Sequence, residues 1–413
     1  MPRKGLIRQT RSPHQRATAV TDSRPHVLYI SHTGVVGGGE MALMDHIRVM
    51  PTEVRTAAVM CPSGELADVL RARGVTVIPF RGTVASFRVQ VREVARAMVD
   101  TASSVRTIRR TARSTDVTVI HANSIRAGLL ALLAGMAGGP PVVVHVHDVL
   151  PDGVLARLVR GVVLRRASAL IAVSQFARSA FLEGFPHTHL PFEVMLNPID
   201  AQRVLSGAPT RSDARRKLGF TANALLLGVV GQITPWKGQH TAIRAVARAL
   251  PTYPQLRLLL VGEPRFVAHS TRYANQAYLA NLHELVDSLG VAHAVEFLGH
   301  RRDVPTIMRA LDLLLLPSWT EPLSRAMLEA MILGTPVLAT NRGGPADIIN
   351  DGETGYLATP RDDELWARRI AAILADADGR ASVARRASHD IQQLLDLERY
   401  VTQAMAVYER VER

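Results

Sequence analysis

The sequence predicts two α/β domains, each built on a parallel β-sheet with helices on both faces. Short apolar runs alternate with stretches of helical length, and this alternation begins again after the segment Asn197 to Asp200. A chain of 413 residues also exceeds what one hydrophobic core usually supports. Doubly wound sheets bind ligands beyond the carboxyl ends of their strands. We therefore expect a cleft between the domains where both sets of strand ends meet.

The apolar runs give the individual elements. Residues 26–30 precede a glycine-rich turn and the amphipathic stretch 40–50, a strand, loop and helix in succession. The other strands predicted in the first half are 56–60, 75–79, 117–121, 142–147 and 169–173, and those in the second half are 225–230, 257–261, 295–298, 311–316, 336–339 and 355–357.

These elements divide the chain into four parts. Residues 1–25 carry six basic residues and no apolar segment of a secretory signal, so we expect a disordered basic tail. The first domain is predicted over residues 26–197 and the second over 198–390. Residues 391–413 are predicted to contain a helix that packs back towards the first domain.

Composition excludes several classes of protein. With 47% apolar and 21% charged residues, the chain is typical of a globular protein and not of a disordered one. A single cysteine, Cys61, cannot form an internal disulfide or a thiolate zinc cluster, which indicates a reducing, cytoplasmic environment. No uninterrupted apolar stretch is long enough to predict a membrane-spanning helix. Aromatic residues, at 5%, are too few for a base-stacking surface, so nucleic acid is not an expected partner.

The positive charge is concentrated in the first half of the chain. Residues 1–200 contain 24 Lys and Arg against 14 Asp and Glu, and the remainder contains 25 against 22. Arginines crowd two predicted helices, one with Arg106, Arg109, Arg110 and Arg113 and the other with Arg157, Arg160, Arg165 and Arg166. They are either solvated helix faces, the more common case, or a surface that places the protein peripherally on the inner face of an anionic membrane.

The most informative segment follows the predicted strand 311–316. Glu321 and Pro322 are expected at the start of a helix, because proline is tolerated in the first turn, and Glu329 is expected about two turns inside it. Free amides at a helix N-terminus form a ready phosphate site, and carboxylates beside it can accept hydrogen bonds from sugar hydroxyls. The alternative is that Glu321 is a helix cap and Glu329 a satisfied buried acid.

Two further loops follow strands of the second domain. Lys237 lies in the loop after residues 225–230, where it would project a positive charge over the strand ends and neutralise a leaving pyrophosphate. The chain has three lysines and 46 arginines, which argues against an incidental surface lysine. Gly343 and Gly344 follow the strand 336–339, where the missing side chains let a ligand approach the backbone.

Together these segments resemble the retaining, nucleotide-sugar-dependent glycosyltransferases of family 4 from about residue 26 to about residue 375. The family has the GT-B architecture, two Rossmann-like doubly wound domains facing across a cleft. The resemblance implies that the first domain binds the acceptor and the second binds the nucleotide sugar. It also implies net retention at the anomeric carbon.

The resemblance assigns roles residue by residue. Glu321 would contact the donor sugar, Glu329 the ribose hydroxyls and Lys237 the phosphates, while His147 would line the acceptor side of the cleft. Glu321, Lys237 and His147 are the expected catalytic residues. The loop near the phosphates and the acceptor consists of Gly37, Gly38, Gly39 and Glu40, and further donor contacts are expected from Gly231, Gln232, Leu323, Ser324, Gly343 and Gly344.

The chain departs from the family pattern at two places. Gln232 occupies a position where the family often has a phosphate-binding arginine, so that Lys237, Arg325 or Arg342 would carry more of the phosphate binding. Pro322 and Ser324 replace two common glycines. Because proline has no N–H, the amides of Leu323 and Ser324 are the expected phosphate donors.

No metal and no cofactor is expected. Gly34 to Gly39 lacks the spacing of a dinucleotide-binding loop. His145 and His147 share a strand face but have no evident third ligand. A lysine and helix amides can stabilise a leaving diphosphate without a metal.

We therefore expect transfer of a hexosyl unit from a UDP- or GDP-sugar to a hydroxyl of a sugar, lipid-linked or small-molecule acceptor, in the synthesis of a polysaccharide, glycolipid or other glycoconjugate. Two alternatives stay open at this point: a GT-B-type nucleotide-sugar epimerase, which needs no acceptor, and a non-catalytic nucleotide-sugar binding protein.

Overall fold

A computed structural model describes residues 25–82, 91–136, 138–186, 188–265 and 273–413. The predicted basic tail lies outside the described residues except for Pro25. Within the described ranges, no helix is both long enough and apolar enough to cross a membrane.

The first domain is a seven-stranded parallel sheet in the order β3-β2-β1-β4-β5-β6-β7. Its strands are β1 His26–Ile30, β2 Arg55–Cys61, β3 Val77–Pro79, β4 Val119–Ala122, β5 Val142–Val146, β6 Ala169–Ala172 and β7 Phe192–Val194. Its helices are α1 Gly38–Val49, α2 Glu65–Ala72, α3 Val91–Ser114, α4 Ile125–Gly135, α5 Val154–Arg166 and α6 Gln175–Leu182. The short edge strand β7 has no counterpart among the predicted strands.

The second domain is a six-stranded parallel sheet in the order β10-β9-β8-β11-β12-β13. Its strands are β8 Leu225–Val230, β9 Leu256–Val261, β10 Val295–Gly299, β11 Leu313–Leu316, β12 Val337–Thr340 and β13 Tyr356–Ala358. The remaining helices are α7 Ala201–Ser206, α8 Arg211–Lys217, α9 Gln239–Ala249, α10 Asn275–Ser288, α11 Val304–Ala310, α12 Arg325–Ile332, α13 Pro345–Ile348, α14 Asp363–Ala375, α15 Ala377–Leu394 and α16 Leu397–Glu412.

Both sheets read as nearly continuous apolar runs because helices cover both of their faces. All four residues of β4, β6, β11 and β12 are buried, as are all five of β5. Two parallel-sheet α/β domains are the fold class that the sequence predicts, and this prediction is confirmed. The predicted strands match the observed ones to within about two residues at each end.

The strand orders fix where a ligand can bind. In the first sheet the order reverses between β1 and β4, and in the second it reverses between β8 and β11. At such a switch point the neighbouring connections leave on opposite faces, which opens a crevice at the strand ends. The glycine-rich loop after β1 and the loops after β8 and β11 lie at these two crevices.

The last helix, α16, packs on the first domain although it follows the second in sequence. It contacts β4, and its Tyr400 and Tyr408 hydroxyls are hydrogen-bonded to His46 of α1 at 2.7 and 2.8 Å. Tyr408 is also hydrogen-bonded to His121 of β4 at 2.8 Å. The helix before it, α15, runs without a break through residue 390 to Leu394.

Candidate active site

The two domains contact each other across the crevices at their strand ends. Ser174, which caps α6 of the first domain, donates a hydrogen bond from Oγ to the Pro322 carbonyl of the second at 2.7 Å. The Phe176 amide donates to the Asp347 carboxylate at 2.7 Å. These contacts bring the loop after β11 against the first domain.

Lys237 and Glu321 form the centre of the second domain's crevice. Lys237 Nζ lies 2.6 Å from Glu321 Oε2, and Ser318 Oγ donates to the same carboxylate oxygen at 2.8 Å. The Lys237 side chain is 15% exposed and that of Glu321 4% exposed. Lys237 Nζ also lies 4.3 Å from the centre of the Trp236 ring. A partly buried ammonium is thus held at one position by a carboxylate and an aromatic face.

Backbone packing between loops places Lys237. It ends a single 3₁₀ turn, residues Pro235–Lys237, after which Gly238 adopts a left-handed conformation with φ of +72°. A Cβ on Gly238 would approach the Pro317 carbonyl oxygen to 2.1 Å. The Trp319 amide donates to the Trp236 carbonyl at 2.8 Å. The loops after β8 and β11 therefore lock together, and this interlocking requires glycine at position 238.

Gly343 and Gly344 hold the backbone of Glu321. The Glu321 amide donates to the Arg342 carbonyl at 3.1 Å, and the Gly344 amide donates to the Glu321 carbonyl at 2.8 Å. A Cβ on Gly343 or Gly344 would lie 2.0 Å from the carbonyl oxygen of Glu321 or Pro322, respectively. In this structure the two glycines therefore allow a close approach of two protein loops, and their role towards a ligand stays a prediction.

The helix after Glu321 begins later than the sequence predicts. The sequence predicts Pro322 in the first turn, but α12 begins at Arg325, and Ser324 is its N-cap, accepting from the Met327 amide at 3.2 Å. The prediction is wrong because the bridge to Gly343 keeps Glu321 extended. Glu329 is consequently the fifth helical residue, just over one turn inside.

The start of α12 still offers amides to a ligand. The N–H groups of Leu323, Ser324, Arg325 and Ala326 find no acceptor within the described ranges, as expected at a helix N-terminus. Leu323 and Ser324, the predicted phosphate donors, are both buried. Their amides lie within four residues of Glu321 and form a short row of potential donors to an anion.

Glu329 is engaged by an arginine that also crosses the cleft. Arg325 Nη2 lies 3.2 Å from Glu329 Oε1 and 2.8 Å from Asp45 of α1 in the first domain. Burial raises the pKa of the Glu329 carboxyl, and the Arg325 guanidinium opposes this increase. Nothing in the sequence pattern indicates Asp45, which lies on the amphipathic helix α1.

The Gln232 side chain is hydrogen-bonded to a neighbouring loop of the second domain. Its side chain donates to the Arg265 carbonyl at 3.1 Å, and Asn275 donates to the same oxygen at 2.7 Å. The Arg265 guanidinium reaches across the cleft to Glu65 of α2 at 2.5 Å, and Glu65 also accepts from the Val36 amide in the glycine-rich loop at 3.4 Å. No motif in the sequence indicates Arg265; the available signal is its position in the loop four residues after the predicted strand 257–261, at the sheet edge where ligands bind.

In the first domain, Glu40 is hydrogen-bonded to the glycine-rich loop. Its carboxylate accepts from the Gly37 amide at 3.1 Å and from Ser31 Oγ at 3.3 Å. Burial raises the pKa of Glu40 to about 7. Glu40 thus closes the N-terminus of α1, as in one half of a capping box. A Cβ on Gly38 would meet nothing within 4 Å, so this side of the loop is open to the cleft.

His147 lies against the same loop. A Cβ on Gly39 would lie 3.6 Å from the His147 ring. Asn123 donates from Nδ2 to the Gly39 carbonyl at 2.9 Å, so its Oδ1 accepts from His147 Nε2 at 3.0 Å. Burial, and to a smaller extent the charge of Arg325, lowers the pKa of His147 to about 3. The ring is therefore neutral, with its proton on Nε2 and an unprotonated Nδ1.

The His145 and His147 rings are 4.1 Å apart, but no group of three or more His, Cys, Asp or Glu residues in the described part of the chain is arranged to hold a metal ion.

Comparison with known proteins identifies the family and the fold. Residues 36–203 match the model described as Glycosyltransferase Family 4, and residues 210–390 match the model described as Glycosyl transferases group 1. The crystal structure of Anabaena Alr3699/HepE in complex with UDP-glucose superposes with a TM-score of 0.77, at 28% identity, over 92% of this chain and 98% of that chain. The chain therefore belongs to the GT-B glycosyltransferases, and family 4 is consistent with both halves, as the sequence resemblance predicts.

Similarity to curated proteins covers shorter stretches. The D-inositol 3-phosphate glycosyltransferase of Stackebrandtia nassauensis is 37% identical over 178 residues, 41% of this chain and 38% of that protein. The lipopolysaccharide core biosynthesis glycosyltransferase LpsE of Rhizobium meliloti is 37% identical over 172 residues, 42% of this chain and 46% of that protein. The chain thus spans less than half the length of either relative.

Proposed function

We propose that this protein is a retaining hexosyltransferase that moves a sugar from a UDP-sugar to an acceptor hydroxyl in the synthesis of a polysaccharide or glycolipid. The observation that carries the proposal is the Lys237–Glu321 pair, 2.6 Å apart, beside the free amides that precede and begin α12. The HepE complexes with UDP and UDP-glucose favour UDP over GDP, because they share this fold over 92% of the chain.

The chemistry follows from where the charges lie. As the bond from the anomeric carbon to the diphosphate breaks, negative charge grows on the phosphate oxygens. Lys237 Nζ and the amides of Leu323 and Ser324 would stabilise that charge, each donor contributing a few kcal/mol. Arg265 would add a guanidinium where Gln232 leaves a neutral position. These groups supply positive charge without a metal.

Retention requires the acceptor oxygen to bond to the face that the diphosphate leaves. Glu321 and Glu329 are both engaged and not free to act as a covalent nucleophile, since Glu321 is bound by Lys237 and Ser318 and Glu329 by Arg325. The acceptor's proton would therefore pass to the departing phosphate oxygen. Neutral His147 would orient the acceptor hydroxyl, because its unprotonated Nδ1 can accept a hydrogen bond.

The test begins with binding. UDP, GDP and their glucose conjugates are compared by thermal shift, and we expect UDP species to raise the melting temperature. Transfer is then measured with UDP-glucose and a panel of acceptors, with the anomeric configuration read by NMR. The donor incubated alone is the control: conversion without acceptor would identify an epimerase, and binding without transfer would identify a binding protein.

Substitution tests the residues. Lys237→Ala is expected to lower kcat by about 10²- to 10³-fold, as loss of one preorganised donor does. Glu321→Gln is expected to lower kcat as well, because a neutral amide no longer pairs with the Lys237 ammonium. Lys217→Ala is the matched control, because Lys217 is an exposed lysine of α8. Near-normal turnover in both site variants would refute the assignment of these residues.

A further inference from the structure

Helix α5 of the first domain turns an apolar strip to solvent. The strip consists of Val154, Leu155, Leu158 and Val162, which are 79%, 53%, 61% and 43% exposed. Their spacing places them on one side of the helix, while Ala156 and Val163 on the other side are buried. Large side chains so exposed in a row are unusual for a monomeric domain and indicate an interaction surface.

The neighbouring helix also carries exposed apolar side chains at its end. Helix α4 packs beside α5; Leu133 in its last turn is 41% exposed, and Met136, directly after the helix, is 61% exposed. The first domain thus presents six large exposed apolar side chains on or directly after two adjacent helices. None of the six contributes to the cores of the two sheets.

Positive charge surrounds the α5 strip. Arg157, Arg165 and Arg166 are exposed, and no carboxylate pairs with them in the described part of the chain. Between Arg126 and Arg166 the sequence contains five arginines and two acidic residues, Asp148 and Asp152. An apolar strip bordered by unpaired arginines is complementary to a surface with an apolar interior and anionic headgroups.

The position of the strip relates it to the cleft. Helix α5 follows β5, and the connecting loop carries His147, the residue proposed to orient the acceptor. Val154 begins the helix seven residues after His147. The apolar N-terminal half of α5 therefore starts at the acceptor side of the cleft.

We propose that the protein docks on an anionic lipid bilayer through the α5 strip and its arginines, and takes its acceptor from that bilayer as a lipid-linked sugar. The assignment of the acceptor rests on the proposed transfer reaction. Docking does not depend on that reaction, and it is measured without donor. A second copy of the chain would fit the α5 strip less well than a bilayer does, because the same arginines would face one another across the interface.

Flotation of the full-length protein tests docking. We expect the protein to float with vesicles of phosphatidylcholine containing one-quarter phosphatidylglycerol, to float much less with phosphatidylcholine alone, and to dissociate as salt increases. The double substitution Leu155→Glu and Leu158→Glu is expected to lower binding tenfold or more, and the triple substitution of Arg157, Arg165 and Arg166 by Glu is expected to do the same.

The matched control is Leu289→Glu, since Leu289 is 42% exposed but lies after α10 in the second domain. Both the control and the variants keep the basic residues 1–25, so binding through that segment alone would be unchanged in all of them. Equal flotation of wild type and the Leu155/Leu158 variant, or no preference for anionic vesicles, would overturn the proposal. Circular dichroism and the UDP-induced thermal shift confirm that the variants are folded.

The link to the acceptor has its own readout. The Leu155/Leu158 variant should keep wild-type turnover with a water-soluble acceptor and lose tenfold or more with an acceptor embedded in anionic vesicles. Equal loss with both acceptors would show that the strip serves the cleft itself and would overturn the link. Absence of transfer by wild type with every acceptor would instead count against the proposed function.

Discussion

Glu321 is positioned by its backbone as much as by its side chain. Its amide and carbonyl are bonded to residues 342 and 344, and its carboxylate is bonded to Lys237 and Ser318. The first pair of contacts needs Gly343, whose φ is +129° and whose missing Cβ leaves room for the Glu321 carbonyl. Gly343, which has no side chain, thus fixes the backbone position of Glu321, the residue proposed to contact the donor sugar.

Substitution of Gly343 by Ala should therefore disrupt both stability and donor binding. The Cβ would lie 2.0 Å from the Glu321 carbonyl oxygen and 2.9 Å from its nitrogen, so the bridge between the two loops must open. Strain of this kind costs about 1–3 kcal/mol before the lost contacts are added. Urea unfolding measures the free energy of unfolding, and titration with UDP measures the affinity.

The control is Gly290→Ala, since Gly290 also has a positive φ, +68°, but its Cβ would meet nothing within 4 Å. This variant should lose only about 1 kcal/mol and bind UDP normally. If the two variants behaved alike, the close approach at Gly343 would not matter.

At the scale of elements, α16 is attached to the first domain through a buried cluster of histidines and tyrosines. His46 of α1 and His121 of β4 are bonded to tyrosines of α16, and the rings of His46 and His121 are 4.9 Å apart. The His145 ring lies 5.4 Å from that of His121. Burial lowers the pKa of His46 to about 3 and holds those of His121 and His145 well below their usual range.

This cluster predicts a loss of stability in mild acid. Below about pH 6.5 the histidines bind protons in the unfolded chain but stay unprotonated in the folded one. The free energy of unfolding therefore falls as the pH decreases from about 6.5 towards about 3. Each buried histidine contributes about 1 kcal/mol for every pH unit. Glu40, with a pKa raised to about 7, has the opposite effect, as do Glu329 and Asp148, whose pKa values burial also raises, and these carboxyls offset part of the histidine contribution. Urea unfolding between about pH 7.5 and about pH 5 measures the slope.

The variant His46→Asn should reduce that slope by about one histidine's contribution. The exposed His389 is the control, and His389→Asn should leave the slope unchanged. A slope that is the same in wild type and in the His46 variant would show that the cluster does not set the acid sensitivity.

At the scale of the whole molecule, two ion pairs cross the cleft where the nucleotide is proposed to bind. Arg325 joins α12 to Asp45, and Arg265 joins the loop after β9 to Glu65. Each arginine belongs to the second domain and each carboxylate to a helix near the glycine-rich loop. A diphosphate entering the cleft would compete with these carboxylates for the same guanidinium groups.

Loss of the Glu65 carboxylate, which leaves Arg265 paired with Glu263 of its own domain at 3.2 Å, should therefore strengthen nucleotide binding. We expect Glu65→Gln to raise the affinity for UDP several-fold, within the range of 0–1 kcal/mol that exposed ion pairs contribute. We expect Arg265→Ala to weaken binding of UDP but not of uridine, which has no phosphate. Isothermal titration calorimetry with both ligands measures the difference.

The matched controls are Glu53→Gln, at an exposed position of the first domain, and Arg368→Ala, which removes an exposed arginine paired with Glu364 on α14. Neither should change UDP affinity. If Arg265→Ala weakened uridine and UDP equally, Arg265 would act on the loop and not on phosphate.

The amino-acid sequence by itself determined the two parallel-sheet domains and the order of the loops that line the cleft. Apolar runs separated by helical stretches fix which residues end each strand, and a parallel sheet gathers those ends at one edge. Lys237, Glu321 and Gly343 could therefore be placed together without coordinates. The start of α12 could not, because the bridge from Glu321 to Gly343 overrides the preference of Pro322 for a first helical turn.

Only the tertiary structure decided which groups from one domain meet the site of the other. Arg325 and Asp45 are 280 residues apart in sequence, Arg265 and Glu65 are 200 apart, and His46 and Tyr408 are 362 apart. None of these partners is encoded by a local pattern, since each depends on how two separately folded sheets and a returning helix pack. Local periodicity determines the elements, and the burial of their remaining faces against one another determines these pairs.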